Sequence, residues 1–226
     1  DGCQIVPPAD ADIAREIERV ANTMSVQDIP TKGEWVTLGD DVLEDYIART
    51  VSLITDEQKN NNQHITTVIT PMHGVGGETL HTVLQQAGFP APIHVNEQFE
   101  PDPEFPTVAF PNPEEPGAMD LALAKATEHQ PDLVIANDPD ADRCAIAIPT
   151  ADGYRMLTGD DVGSLLGWWA TQQDSNRTTL AQSIVSGTML RSIAENAGLA
   201  YEHTLTGFKW IGRIPTLRFG YEEALG

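Results

Sequence analysis

The chain has 226 residues, 40% of them hydrophobic, and carries 13 Lys and Arg against 34 Asp and Glu, for a net charge of −21. That length can bury one large core or two small ones, whereas so acidic a balance excludes a nucleic-acid-binding face built on phosphate contacts and disfavours an anionic membrane surface. No run of about 18 apolar residues codes a membrane span, and Cys3 and Cys144, in no paired spacing, exclude a disulfide framework or a Cys-based zinc site and fit a reducing cytoplasm.

The opening D-G-C-Q has neither the basic region nor the apolar core of a secretory signal, and it lacks an initiator Met, as expected of a segment from inside a longer gene product. Residues 5–8 (I-V-P-P) read as a strand end, followed by an acidic helix over 11–21 with Ile13, Ile17 and Val20 at helical spacing. The polar stretch 22–33, with Pro30 and Gly33, reads as a linker, so residues 1–33 are expected to be the tail of a preceding domain. A second helix is predicted over 40–54, with Val42, Tyr46, Ile47 and Val51 on one side.

The pattern then changes. Residues 64–70 (H-I-T-T-V-I-T) are β-branched and predict a strand, which P-M-H-G-V-G-G at 71–77 turns into a helix over 78–87. A short strand over 93–95 comes next. Residues 97–117 hold six prolines and six acids and no Lys or Arg, so no regular element is expected there. A helix over 118–129 leads into a buried strand over 132–136 (D-L-V-I-A).

A second set of elements follows. It comprises strand 154–157, a helix from 159 to 171 that Thr158 and Asp161 cap in a near-capping box, strand 180–185, helix 188–197, strand 201–204, a helical turn at 207–211 and strand 216–219. This alternation predicts two consecutive three-layer α/β/α domains with mixed, mainly parallel sheets, over 34–157 and 158–226, the second incomplete. Inside the second, Trp168 and Trp169 sit in a helix with Leu165 and Leu166 and read as core or as an interdomain contact.

The most informative residues are N-D-P-D-A-D-R at 137–143, directly after the buried strand 132–136 and so at its carboxyl end, where open α/β sheets bind ligands. In an extended or looped chain Asp138, Asp140 and Asp142 can project to one side. Three converging carboxylates stay ionised only if a cation joins them, and oxygen-only ligands favour a hard ion such as Mg2+, Mn2+ or Ca2+. Arg143 adds a planar fork suited to a phosphate or carboxylate. A calcium EF-hand fits poorly, because its position 6 requires Gly where Arg143 stands and its position 12 requires Glu where Pro149 stands. A phosphatase of the haloacid-dehalogenase type, with Asp138 as nucleophile, competes, although Asp142 stands where such enzymes have Thr or Val. A solvated acidic turn capping the strand is the blandest reading. The glycines at 74, 76 and 77 invite a nucleotide-binding reading, but there is no G-K-[ST] and no third Gly in register, so a tight strand-to-helix turn is expected, with an anion at that helix N-terminus left open. His73, His81, His94 and His129 show no metal-ligand spacing.

The loop D-P-D-A-D-R resembles the metal-binding loop of the α-D-phosphohexomutase family, the phosphoglucomutases and phosphomannomutases together with a phosphopentomutase branch. Further stretches agree in order: P-M-H-G-V-G at 71–76, the connecting loop from F-P-T at 105–107 through P-N-P-E-E at 111–115, T-G-F-K at 206–209, and G-Y-E-E-A-L-G at 220–226, similar to the family's sugar-specificity loop. The resemblance implies Mg2+ held by Asp138, Asp140 and Asp142 together with a phosphoserine oxygen. It also implies phosphate contact and catalytic assistance from Arg143, sugar hydroxyls read by Glu222, a substrate contact from Thr206, and a phosphate or base contact from Lys209. Arg213 and Arg218, near these residues, are surface cations that could contact phosphate.

The phosphoserine would hand its phosphoryl group to a sugar phosphate, and a bisphosphate intermediate would reorient before phosphate returns. The implied substrate is a hexose phosphate, glucose first, with mannose and pentose phosphates as alternatives. The family's T-[AS]-S-H-N-P serine loop does not occur here, S-G-T at 186–188 is followed by Met189 and Leu190 rather than Glu and Pro, and Ala224 stands where many relatives carry Ser. The resemblance therefore implies domains two and three of a longer cytoplasmic mutase whose flanking domains lie elsewhere, inactive in isolation. The competing function from another class is a non-catalytic metal- or sugar-phosphate-binding protein.

Overall fold

The computed structural model describes residues 4–224. An acidic helix α1 (Ala9–Thr23) and a single 3-10 turn (Val26–Asp28) come first, with residues 5–8 forming no strand. Then follow α2 (Asp41–Val51), α3 (Asp56–Asn62), β1 (Thr67–Thr70), α4 (Gly77–Gln86), β2 (Ile93–His94), α5 (Asn96–Phe99), α6 (Asp120–His129), β3 (Leu133–Asn137), β4 (Cys144–Thr150) and β5 (Gly153–Met156). The second domain contributes α7 (Gly159–Thr171), β6 (Thr179–Ser183), α8 (Met189–Asn196), β7 (Ala200–Thr204), α9 (Phe208–Ile211) and β8 (Leu217–Tyr221). No helix among the described residues is long and apolar enough to cross a membrane.

In the first sheet the strands run β2-β1-β3-β4-β5, with β1 parallel to both β2 and β3 and the β3-β4 and β4-β5 pairs antiparallel. One face, with Val68, Val134, Ala136, Ala145 and Ala147, packs against Ala122 and Ala126 of α6. The other presents Ile69 and Ile135 to Leu80 and Leu84 of α4 and to Phe99. Alternation along β3 and β4 thus feeds two cores, which makes the domain three layers thick. The second sheet, β7-β6-β8, is parallel throughout. Leu180, Phe219 and Tyr221 meet Leu190 and Ala194 of α8 on one face, and Ala181 meets Ile211 and Ile214 on the other. The expected α/β/α class with mixed, mainly parallel sheets is what forms.

Beyond the missing strand at 5–8, three elements and one side chain depart from expectation. The polar helix α3 was not foreseen, although Thr55 and Gln58 close a capping box at its start, with Thr55 Oγ1 accepting from Gln58 N at 3.2 Å and Gln58 Oε1 accepting from Thr55 N at 2.7 Å. The stretch 97–117 is not wholly irregular, because α5 forms at its head and buries Gln98 and Phe99. β4 was likewise not foreseen. Trp168 is not core: it is exposed on α7 beside the exposed Leu165 and Leu166, while Trp169 is half-buried, because Gly163, Gly167 and Ala170 form the face of that helix that packs inward. The capping box of Thr158 and Asp161 is present, with Asp161 N donating to Thr158 Oγ1 at 3.1 Å.

Candidate functional site

The carboxylate loop joins β3 to β4, two neighbouring antiparallel strands that pair Asn137 with Cys144. Both ends are therefore pinned by the sheet, and the chain between must close on itself. Ala141 adopts a left-handed backbone at φ 58°, and its N–H returns to the Asp138 carbonyl at 3.0 Å. Asn137 Nδ2 donates to the Arg143 carbonyl at 2.8 Å, stitching the loop's mouth. Folded this way, Asp138, Asp140 and Asp142 each bring a carboxylate oxygen within 4.8 Å of the others.

The three aspartates are not equivalent. Asp138 is buried and accepts from the Arg143 backbone N–H at 2.9 Å and from its Nε at 3.0 Å. Burial alone would raise its carboxyl, but the hydrogen bonds and charge of Arg143 outweigh it and hold the group below the usual carboxylate value. Asp140 and Asp142 are exposed. Asp142 is pushed the other way, first by desolvation and then by repulsion from Asp138 and Asp140. This repulsion is what a shared cation would relieve, and the acceptor-only oxygen set fits a hard divalent ion.

A second turn braces the loop. Residues 71–76 lead from β1 into α4, with left-handed backbones at Met72 (φ 49°) and His73 (φ 62°). Val75 N–H donates to the Pro139 carbonyl at 2.9 Å, and a Cβ on Gly74 would overlap the Pro139 backbone. Gly74 is thus required for close approach. His73 is buried, with Nε2 at 2.8 Å from Thr107 Oγ1, and Gln98 Nε2 donates to the same hydroxyl at 3.0 Å. The F-P-T stretch and α5 therefore dock beneath the turn that holds the carboxylate loop.

Across the domain boundary a cleft of about 490 Å³ is lined by Asp142 and Arg143 from this loop and by Gly207, Phe208, Glu222 and Ala224 from the second domain, with Gln4 at its edge. Glu222 follows β8 and is half-buried; its Oε1 accepts from Gly207 N–H at 2.6 Å. Gly207, at φ 114° and ψ 127°, holds a backbone open in practice only to glycine. The T-G-F-K turn and the glutamate thus lock together.

Of the residues singled out in the sequence, Asp142, Arg143 and Glu222 line this cleft; Asp138 and Asp140 do not, but each brings a carboxylate oxygen within 4.8 Å of one on Asp142. Thr206 is exposed and Lys209 half-buried in the same turn, but neither lines the cleft; Lys209 Nζ lies 5.8 Å from the centre of the Trp210 ring. Arg218 is occupied elsewhere: its Nε donates to the Ala170 carbonyl at 2.8 Å and a terminal nitrogen to the Gln173 carbonyl, capping α7. Arg213 donates to the Gln4 carbonyl at 3.0 Å. Leu225 and Gly226 of the G-Y-E-E-A-L-G stretch lie outside the described residues. Sequence reasoning missed Ser183, Ser186 and Glu223, which bond to one another, and Asp160, which accepts from the Gly187 N–H and the Tyr221 hydroxyl. Their only signal was proximity to T-G-D-D at 158–161 and to Glu222.

Comparison with known proteins bears on the family and the fold. Residues 44–153 match the model of phosphoglucomutase/phosphomannomutase α/β/α domain II, and residues 158–226 match that of domain III. A protein of Haemophilus influenzae named a probable phosphomannomutase is 48% identical, over 100% of this chain and 46% of its own length. A phosphoribomutase of Saccharomyces cerevisiae is 35% identical, over 100% of this chain and 42% of its own. The crystal structure of a phosphoglucomutase/phosphomannomutase family protein from Burkholderia thailandensis superposes with a TM-score of 0.74 at 16% identity, covering 95% of this chain and 43% of that one, which speaks to the fold. The chain spans less than half the length of the curated relatives it matches. With both domain models matched in succession over most of its length, the chain belongs to the phosphoglucomutase/phosphomannomutase family.

Proposed function

We propose that this chain is the metal-holding and sugar-reading part of a sugar-phosphate mutase, an intramolecular phosphotransferase that interconverts a hexose 1-phosphate and 6-phosphate through a phosphoserine and a bisphosphate intermediate. The observation that supports it most is the cleft in which Asp142 and Arg143 of one domain face Glu222 of the other. A phosphate held at the first wall places its sugar against the second.

Asp138, Asp140 and Asp142 would hold Mg2+, which when bound neutralises charge on the oxygens of a transferring phosphoryl group. Arg143 does two things. Its backbone N–H and Nε fix Asp138, while its terminal nitrogens, without a partner among the described residues, are free for phosphate oxygens. Glu222 spends Oε1 on Gly207 N–H, which leaves Oε2 to accept from a sugar hydroxyl. Thr206 and Lys209 flank Gly207 and Phe208, which line the cleft, and would contact the substrate from that turn. Phosphoryl transfer itself needs a serine from a flanking domain, so by this reading the chain alone does not turn over.

Glucose phosphate is the first substrate of this proposal. The names of the relatives, phosphomannomutase and phosphoribomutase, favour mannose and pentose phosphates as a second reading. Coupled assays of the full-length protein with glucose 1-phosphate, mannose 1-phosphate and ribose 1-phosphate separate the readings. In the same assay Asp140→Ala should abolish Mg2+-dependent turnover, and calorimetric titration of the chain with Mg2+ should show at least tenfold weaker binding, about 1.4 kcal/mol. Unchanged turnover and affinity in that variant would overturn the metal assignment. No turnover of any sugar phosphate by the intact protein would overturn the mutase reading and leave a binding protein.

A further inference from the structure

Tyr221, Glu222 and Glu223 follow one another where β8 ends, and the residues on either side of Glu222 are both tied to the turn after β6. The Tyr221 hydroxyl donates to Asp160 Oδ1 at 2.7 Å, and that same oxygen accepts the Gly187 N–H at 2.7 Å. Glu223 Oε2 accepts from Ser183 Oγ at 2.7 Å and from Ser186 Oγ at 2.8 Å, and Ser186 Oγ accepts the Glu223 N–H in return at 3.1 Å. Ser183 is fully buried. The start of α7 is stripped of side chains to admit this arrangement: a Cβ on Gly159 would overlap the Glu223 carbonyl, and one on Gly163 would overlap the Tyr221 ring. None of Asp160, Ser183, Ser186 or Glu223 lines the interdomain cleft.

We propose that Glu223 is a positioning residue for sugar recognition: gripped by the Ser183 and Ser186 hydroxyls, it sets the rotation of the loop that presents Glu222 to the sugar. The inference rests on the reading of Glu222 as the sugar-hydroxyl acceptor. Hydroxyl-to-carboxylate bonds are about twice as strong as neutral ones, and a carboxylate that accepts two of them cannot swing without exchanging both for the weaker contact between the two serine hydroxyls, 2.8 Å apart. Without this grip Glu222 keeps its bond to Gly207 and the Tyr221 tie on one side, and the other side of the loop is released. Recognition of one hydroxyl against its epimer needs placement to about 0.5 Å. Loosening should therefore blur the choice of sugar while leaving the phosphoryl chemistry, which occurs at the other wall, intact.

The test uses the full-length enzyme, with kcat and KM measured for glucose 1-phosphate and for its mannose and galactose epimers. Glu223→Ala is expected to raise KM about tenfold with kcat within about twofold, and to draw the kcat/KM ratios between epimers toward one. Glu223→Gln keeps an oxygen that both hydroxyls can reach and should stay near the parent. The Ser183→Ala/Ser186→Ala pair should reproduce Glu223→Ala and carries the test if that variant does not fold. An altered melting temperature with unchanged KM and epimer ratios, or a fall in kcat alone, would overturn the inference. Glu222→Ala runs alongside: if it is unimpaired, the Glu222 reading and this inference both fall, whereas an impaired Glu222→Ala beside an unaffected Glu223→Ala overturns the inference alone.

Discussion

Replacing Gly74 with Ala tests whether the carboxylate loop is held by the turn beneath it. The new Cβ would stand inside contact distance of the Pro139 Cα, carbonyl carbon and carbonyl oxygen, all of them backbone atoms that no side-chain rotation can move. The loop must then retreat by about 1 Å to reach ordinary separation. Such a retreat carries the bond from Val75 N–H to the Pro139 carbonyl, now 2.9 Å, beyond useful hydrogen-bond length. Losing that bond costs about 1 kcal/mol, and forced repacking of a close contact adds about 1–3 kcal/mol. The expected destabilisation of the first domain is therefore about 2–4 kcal/mol. Urea unfolding of the chain followed by circular dichroism measures it, with the transitions of the two domains fitted separately. Gly33→Ala, where nothing lies within 4 Å of the added carbon, is the control. Because the aspartates ride on the displaced loop, the affinity for Mg2+ should fall as well. A Gly74→Ala chain within about 0.5 kcal/mol of the control, with unaltered Mg2+ affinity, would refute the bracing argument.

Arg218→Ala removes two charge-assisted bonds to the carbonyls that end α7 and should cost about 1–2 kcal/mol in the second domain while leaving KM for a sugar phosphate unchanged; a raised KM would show that Arg218 touches phosphate after all. His94 gives a pH signature. Its ring lies 2.8 Å from His81 and stacks on Phe99. Burial first, then the charge of His81, hold its pKa below the ordinary 6.5, against an opposing pull from Glu78. The fold thus prefers the neutral ring, so stability is full above about pH 6.5 and falls as pH drops from there toward the lower folded value. A melting temperature that declines between pH 7.5 and 5.5 in the parent and less in His94→Gln would bear this out; identical slopes would not.

Much of this architecture was legible because the chain's patterns are locally consistent. Strands such as T-V-I-T in β1 announce burial on both faces, and Thr158 with Asp161 announces a helix start. β4 was hidden for a physical reason. Its inward residues, Ala145 and Ala147, are small because α6 crosses close above them, and Pro149 discounts the run, tolerable here because the strand's last two residues are exposed. The aspartate cluster could be read because alternation brought three like charges together beside Arg143. The arrangement around Glu222 could not, since Glu223 lies far in sequence from the neighbouring Ser183 and Ser186 and meets them only when parallel pairing aligns the carboxyl ends of β6 and β8. For Trp168, hydrophobicity pointed inward while the glycines at 163 and 167 had already claimed the packed side of α7.

The pairing of Asn137 with Cys144 also constrains what can vary in this protein. With both ends fastened to neighbouring strands, the chain between them has a quantised length. One inserted residue must either pucker outward as a bulge, pulling the aspartates off their common centre, or slide β4 by a single step. Sliding would turn Ala145 and Ala147 toward α4 and drive Ile146 and Ile148 into the space that α6 fills. Drift can therefore exchange side chains within this circuit but can hardly lengthen it.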